Sequence, residues 1–98
     1  MTMLEQLPAV YILANRESGS LHSGVAANLR QHLHDYRQAL GDIRKEVFEL
    51  VYFELFEDLE QAYMREKQIQ EYSHRRKTAL IDSINPKWDD LYQAGEEA

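Results

Sequence analysis

The sequence predicts an α+β domain, a three-stranded sheet flanked by helices in the order β-β-α-β-α-α. Three observations carry this expectation. Residues 9–24 read as strand, polar turn and strand; Phe48 to Phe56 is the most apolar and aromatic-rich run; and the remaining segments carry helical spacing bounded by cap residues.

The elements follow in order. Ala9 to Ala14 is an apolar strand, and the turn after it holds Ser18, Gly19 and Ser20. Glycine takes the positive φ of a tight hairpin, and the flanking serines and Asn15 supply local hydrogen bonds. A second short strand follows. Asn28 is a good N-cap for a first helix whose apolar residues Leu29, Leu33, Tyr36 and Leu40 are spaced 4, 3 and 4, with Gly41 as its predicted end. Residues 42–47 form a charged connector, and Phe48–Phe56 is the principal strand. Asp58 with Gln61 three residues on opens a second helix that runs to about Tyr72, with Leu59, Ala62, Tyr63 and Ile69 expected to face inward. A third helix, roughly 74–84, is expected to present Leu80, Ile81 and Ile84 to the core. Asn85-Pro86 reads as a cap and first-turn proline opening a short helix with Trp88, a core lid, and Leu91.

Ninety-eight residues make one domain, expected over 8–92 with flexible termini at 1–7 and 93–98. No apolar run approaches the ~18 residues of a membrane span, and the start has neither the basic nor the apolar region of a signal peptide. Without cysteine there is no disulfide framework and no thiolate metal site. A cytoplasmic protein that does not enter membranes is therefore expected. The net charge is −6, and the second half carries most of the excess, with 6 basic and 11 acidic residues over 50–98. Sequence-independent nucleic-acid binders usually show the opposite balance, because phosphate contacts dominate their affinity.

Glu66 is the most informative single residue. It lies seven after Leu59 and three after Tyr63, on the stripe predicted to be buried. An ionised carboxylate there needs a cation, a metal or several donors. The plain reading pairs it with Arg65, Lys67 or a basic residue from another element; the functional reading makes it a single-carboxylate ligand for Mg²⁺. Among the histidines, His32 and His34 diverge by about 200° on a helix, which argues against a shared zinc. His32 borders the core stripe, and His22 on its strand is able to act as a general base near neutral pH. His74, Arg75, Arg76 and Lys77 form the dense basic run. They read as a solvated helix face or, functionally, as phosphate contacts.

Taken together, Ala-Val-Tyr-Ile-Leu-Ala-Asn at 9–15, Leu-His-Ser-Gly-Val at 21–25 with Asn28-Leu29, and Leu-Val-Tyr-Phe-Glu-Leu-Phe-Glu-Asp at 50–58 resemble the GIY-YIG nuclease superfamily. The runs beginning at Ala62 and Ala79 are similar to the small stand-alone GIY-YIG proteins of bacteria, so the resemblance spans about residues 8–92. It implies cleavage of DNA phosphodiesters with one divalent metal, Mg²⁺ or Mn²⁺. Tyr11 falls on the tyrosine of the first motif, and Glu66 on the metal-binding glutamate. Gly24 keeps the second motif's glycine, but His22 stands at that motif's tyrosine and His32 at the first-helix arginine. Tyr36 falls on a position often tyrosine or histidine, and Asp89 near one that is asparagine in some repair relatives.

In the family the arginine steadies phosphate charge and the second tyrosine helps to position or deprotonate water. Histidine is shorter than arginine and its charge is titratable, and losing one such electrostatic contact commonly costs ~10²–10³ in rate. The connector between Arg37 and Leu50 is also shorter than in typical small members and lacks their basic, glycine-containing loop. The leading expectation is a GIY-YIG endonuclease-like protein with weakened or lost cleavage, a pseudoenzyme acting mainly by binding nucleic acid or protein. One alternative is an active nuclease with His22 as base and His32⁺ as phosphate clamp, which would give a bell-shaped pH profile. Another is an acidic protein-interaction module that needs neither metal nor DNA.

Overall fold

A computed structural model of the chain describes residues 7–43 and 48–92. Residues 1–6 and 93–98 of the expected termini, residues 44–47 of the connector and the side chain of Leu40 lie outside the described residues. The elements run β1 (Ala9–Asn15), β2 (Leu21–Ala26), α1 (Leu29–Ile43), β3 (Phe48–Leu55), α2 (Leu59–Glu71) and α3 (His74–Ile84). The three strands form one antiparallel sheet in the order β2-β1-β3.

The central place of β1 explains its composition. All seven of its residues are buried, so it reads as an unbroken apolar run where a half-exposed strand would alternate. Its odd residues Tyr11 and Leu13 pack with Leu29, Leu33, Leu50 and Tyr92 on the α1 side. Its even residues Val10, Ile12 and Ala14 pack with Val51, Tyr52, Ala62, Ile69 and Ile81 on the side of α2 and α3. The sheet is thus covered on both faces.

The hairpin forms as its residues require. Asn15 Oδ1 accepts the backbone N–H groups of Glu17 at 2.9 Å and Ser18 at 3.2 Å, and Gly19 sits at φ 75°. The β1–β3 ladder holds a bulge, because Ile12 pairs with Tyr52 and Leu13 with Leu50, leaving Val51 without a partner residue. Its neighbourhood recruits the chain's last described segment. Asn85 Nδ2 donates to the Val51 carbonyl at 2.9 Å, and the Leu50 N–H donates to Asp90 Oδ1 at 3.3 Å. Asn85 is one of two buried polar side chains among the described residues, and this is its reason for being inside.

Several local expectations need correction. Helix α1 carries on through Gly41 to Ile43. Glycine ends a helix where the backbone turns left-handed, and Gly19 is the positive-φ glycine among the described residues. In α2 the buried residues are Ala62 and Ile69, with Glu66 between them; Tyr63 falls to the side of that stripe and is 60% exposed, and Leu59, the first residue of the helix, is 40% exposed. Ile84, the last residue of α3, is 59% exposed, and Ile81 one turn earlier is fully buried. No helix opens at Pro86. Residues 85–88 make a turn in which the Trp88 N–H donates to the Asn85 carbonyl at 2.9 Å and Trp88 takes φ 54°. That left-handed conformation is held from outside, by Arg16 donating to the Trp88 carbonyl at 2.8 Å and by the indole donating to Asp82 at 2.6 Å. Trp88 does pack on the α2–α3 core as a lid.

Caps are local and were legible: Asp58 accepts from the Gln61 N–H at 2.9 Å and Asn28 from the Gln31 N–H at 3.1 Å. The cap of α3 is Ser73, accepting from the Arg76 N–H at 3.2 Å.

A partly buried polar network crosses from β3 to α2. The Tyr52 hydroxyl donates to Glu54 Oε2 at 2.7 Å, and Arg65 Nε donates to the same oxygen at 3.0 Å. Burial, and then the Glu54 carboxylate, push the Tyr52 phenol up to about 12. A phenol raised above its unfolded value stabilises the fold fully below that value, near 10, and the contribution is lost as pH rises towards 12. Unfolding free energy is therefore expected to fall by about 2 kcal/mol across that window on account of Tyr52. Denaturant titrations of the parent and Tyr52→Phe at both ends of the window check this. An equal alkaline loss in the two proteins would contradict it.

Candidate active site

The site is built around the hairpin. Tyr11 pairs with Gly24 across the β1–β2 ladder, and its ring lies over that glycine. A Cβ at position 24 would stand 2.5 Å from the Tyr11 hydroxyl oxygen and 2.7 Å from Cζ. Glycine is thus required here by close approach of a side chain, at an ordinary negative-φ strand position. Gly24→Ala is expected to push the phenol aside and destabilise the domain by about 1–3 kcal/mol. A denaturant midpoint unchanged from the parent would show that the ring gives way without cost.

From this position the Tyr11 hydroxyl reaches α1, where it hydrogen-bonds His32 Nε2 at 2.8 Å, with ring centroids 5.2 Å apart. The His32 ring is otherwise at the surface. His22 pairs with Leu13 and so projects to the same sheet face. Its ring lies nearly parallel to that of Tyr36, at 17° and 6.5 Å between centroids. Tyr36, one helical turn beyond His32, packs edge-on against Phe48 at 6.3 Å. Four of the residues singled out in the sequence, Tyr11, His22, His32 and Tyr36, are therefore brought into one row of rings along the β2 edge. Burial, then Tyr36, then Glu66 raise the Tyr11 phenol above its ordinary value, which keeps it protonated.

Glu66 approaches β2 from the other face. Its Oε1 accepts from Ser23 Oγ at 3.1 Å and from Gln70 Nε2 at 2.6 Å, while Oε2 accepts no hydrogen bond among the described residues. Ser23 pairs with Ile12 and so faces α2, directly beside Gly24 on the edge strand. The half-buried carboxylate is close enough to the phenol to influence it. The plain pairing with Arg65 does not occur, since that guanidinium is drawn to Glu54, Gln68 and Tyr72. The two residues that do hold Glu66 were not singled out in the sequence. Gln70 had a signal, because it sits four residues along the same helix. Ser23 had none, being placed by tertiary packing.

The basic run is separate. Helix α3 packs on β3, at the opposite edge of the sheet from β2. Arg75 and Arg76 are exposed, and the Arg76 guanidinium stacks on the Tyr72 ring at 3.9 Å. Among the described residues no contact joins Arg75, Arg76 or Lys77 to Tyr11, His22, His32 or Glu66. Asp89 is exposed, and its backbone N–H and carbonyl both bond the Asn85 side chain.

The family model for the GIY-YIG catalytic domain matches residues 7–79, from the start of β1 into α3. The chain belongs to the GIY-YIG family. A solved structure shares the fold of this GIY-YIG domain: the solution NMR structure of the UPF0213 protein BH0048 from Bacillus halodurans. That protein is 24% identical, with 86% of this chain and 92% of that one covered, at a TM-score of 0.58. No curated protein matches the chain. Among the described residues no helix is long and apolar enough to cross a membrane.

Proposed function

We propose that this GIY-YIG domain has weakened or lost metal-dependent cleavage of DNA phosphodiesters and acts in the cytoplasm mainly by binding nucleic acid or protein. The observation that carries the reading is the 2.8 Å bond between the Tyr11 hydroxyl and His32 Nε2. If Tyr11 donates, His32 is neutral and offers a phosphate no charge. If His32 is charged, Nε2–H is spent on the tyrosine oxygen and one N–H remains. An arginine at this position would bring a permanent charge and several N–H groups to the phosphate. His22 lacks the reach of the family's second tyrosine, and the net acidic balance of the chain gives DNA no long-range attraction to the site.

The metal position supports a remnant of the family's chemistry. Glu66 has one carboxylate oxygen held by two donors and the other open, which fits a single-carboxylate ligand for Mg²⁺ or Mn²⁺ whose remaining ligands are waters and phosphate oxygens. Among the described residues no group of three or more His, Asp or Glu gathers to hold a metal, as a zinc site would require. A bound Mg²⁺ would supply Lewis-acid stabilisation of phosphate charge. The chain's own residues orient Glu66 through Ser23 and Gln70 and keep Tyr11 protonated. Arg75, Arg76 and Lys77 are the phosphate contacts for a bound strand, on a face apart from the ring row.

Mn²⁺ titration followed by NMR line broadening tests the metal position: broadening centred on Glu66 and Ser23, lost in Glu66→Ala, is expected. Fluorescence anisotropy with labelled single-stranded and branched DNA at low salt separates nucleic-acid from protein binding. Efficient Glu66-dependent cleavage of DNA would overturn the reading.

A further inference from the structure

Helix α2 turns Ala62 and Ile69 to the sheet and points a second stripe away from it. Glu60, Tyr63, Met64 and Lys67 lie three, four and seven residues along from one another's start, which gathers them on the side of the helix roughly opposite the buried pair. All four are exposed. Tyr63 at 60% and Met64 at 64% are the two most exposed large apolar side chains among the described residues. An outward helix face is ordinarily polar throughout, so an adjacent aromatic and thioether at its centre stand out. The charges at the two ends are also unused. Among the described residues neither the Glu60 nor the Lys67 side chain makes an ion pair or hydrogen bond.

The order along the stripe is acid, aromatic, thioether, base, and this order is complementary to its own reverse. Consider a two-fold axis passing midway between Tyr63 and Met64. It sets Glu60 against Lys67 of a second copy, Tyr63 against Met64, and the same pairs again with the copies exchanged. Both end contacts then join opposite charges, and both central contacts lay a sulfur against an aromatic ring. A parallel arrangement would instead set acid on acid and base on base. The apolar pair falls at the centre and the charges at the rim, which is how protein interfaces distribute these residue types. We infer that a second copy of this chain docks on α2, the two helices antiparallel about that axis. Such an interface uses the same patch on both copies and therefore closes at a dimer. One 13-residue helix against its twin buries less than the ~1,200 Å² of a standard interface. The dimer is accordingly weak, populated at ~10⁻⁴–10⁻³ M chain and dissociated at ~10⁻⁶ M. The ring row lies on the α1 side of the sheet and stays open. The inference goes beyond the reading above, since it needs no metal and no nucleic acid.

The test is sedimentation equilibrium of the full chain across that concentration range, beside Glu60→Lys, Lys67→Glu and an equimolar mixture of the two variants. The parent is expected to pass from monomer to dimer. Each charge reversal puts like charges together at both ends of the stripe and should weaken dimerisation by about 10-fold or more. In the mixture every acid again meets a base, so the two variants should bind one another within about threefold of the parent's own affinity. Tyr63→Ala combined with Met64→Ala should remain monomeric, and circular dichroism establishes that each variant is folded. A parent that stays monomeric throughout, variants that associate as tightly as the parent, a mixture no tighter than its components, or assembly beyond the dimer would overturn the inference. None of these outcomes bears on Glu66-dependent DNA cleavage, so the two readings fail separately.

Discussion

His22→Tyr combined with His32→Arg is expected to raise Mg²⁺-supported DNA cleavage by about 10²–10³-fold over the parent. Arginine at position 32 supplies a permanent charge with several N–H groups. One of them can replace the imidazole on the Tyr11 oxygen while others meet phosphate. Position 22 tolerates a larger ring because it is exposed and already lies beside Tyr36. Glu66 and Tyr11 need no change. Single-turnover rates on a branched duplex, for the two single variants and the double, check this. The double should exceed the product of the singles, because the two groups act on one phosphate. A folded double variant no faster than the parent would show that something other than these two positions limits the site.

Ile69→Ala is expected to cost about 2–5 kcal/mol, a large part of the stability of a domain this size. Ile69 is fully buried where α2 meets the sheet, within the cluster of Val10, Ile12 and Val51. Its functional consequence is local as well. It sits one turn beyond Glu66, so a loosened α2 withdraws the carboxylate from Ser23 and β2. Urea unfolding gives the first effect and Mn²⁺ broadening at Ser23 the second. A loss under ~1 kcal/mol would show that α2 docks through other residues.

The fold was legible because its signals are local and repeated. The unbroken apolar run of β1, the turn at Gly19 and the caps Asn28 and Asp58 each determine one element boundary with little help from the rest. The misplaced details arise where tertiary packing chooses between equivalent stripes. Tyr63 is the next residue round the helix from Ala62, and which of the two meets the sheet depends on how α2 is rolled. The turn at Trp88 was illegible for a similar reason. Asn-Pro favours a helix start locally, but Asn85 donates through Nδ2 to the Val51 carbonyl and its Oδ1 accepts from the Asp89 N–H, so the side chain ties down a turn and opens no helix. At the site, Tyr11, His22, His32, Tyr36 and Glu66 were found from motif positions and helical spacing. The bond from Tyr11 to His32 and the role of Ser23 depend on where β2 and α1 lie, which no spacing reveals. The basic run at 75–77 was found as a charge cluster, but its place on the far edge of the sheet follows only from the pairing of β3 with β1.

We propose a GIY-YIG fold that keeps its carboxylate and first tyrosine without efficient cleavage. The most direct measurement is a cleavage assay of the purified parent on duplex, branched and single-stranded DNA with Mg²⁺ or Mn²⁺, beside Glu66→Ala. Cleavage by the parent at or only slightly above the Glu66→Ala background on every one of these substrates is the predicted result. Rapid cleavage by the parent that disappears in Glu66→Ala would contradict it.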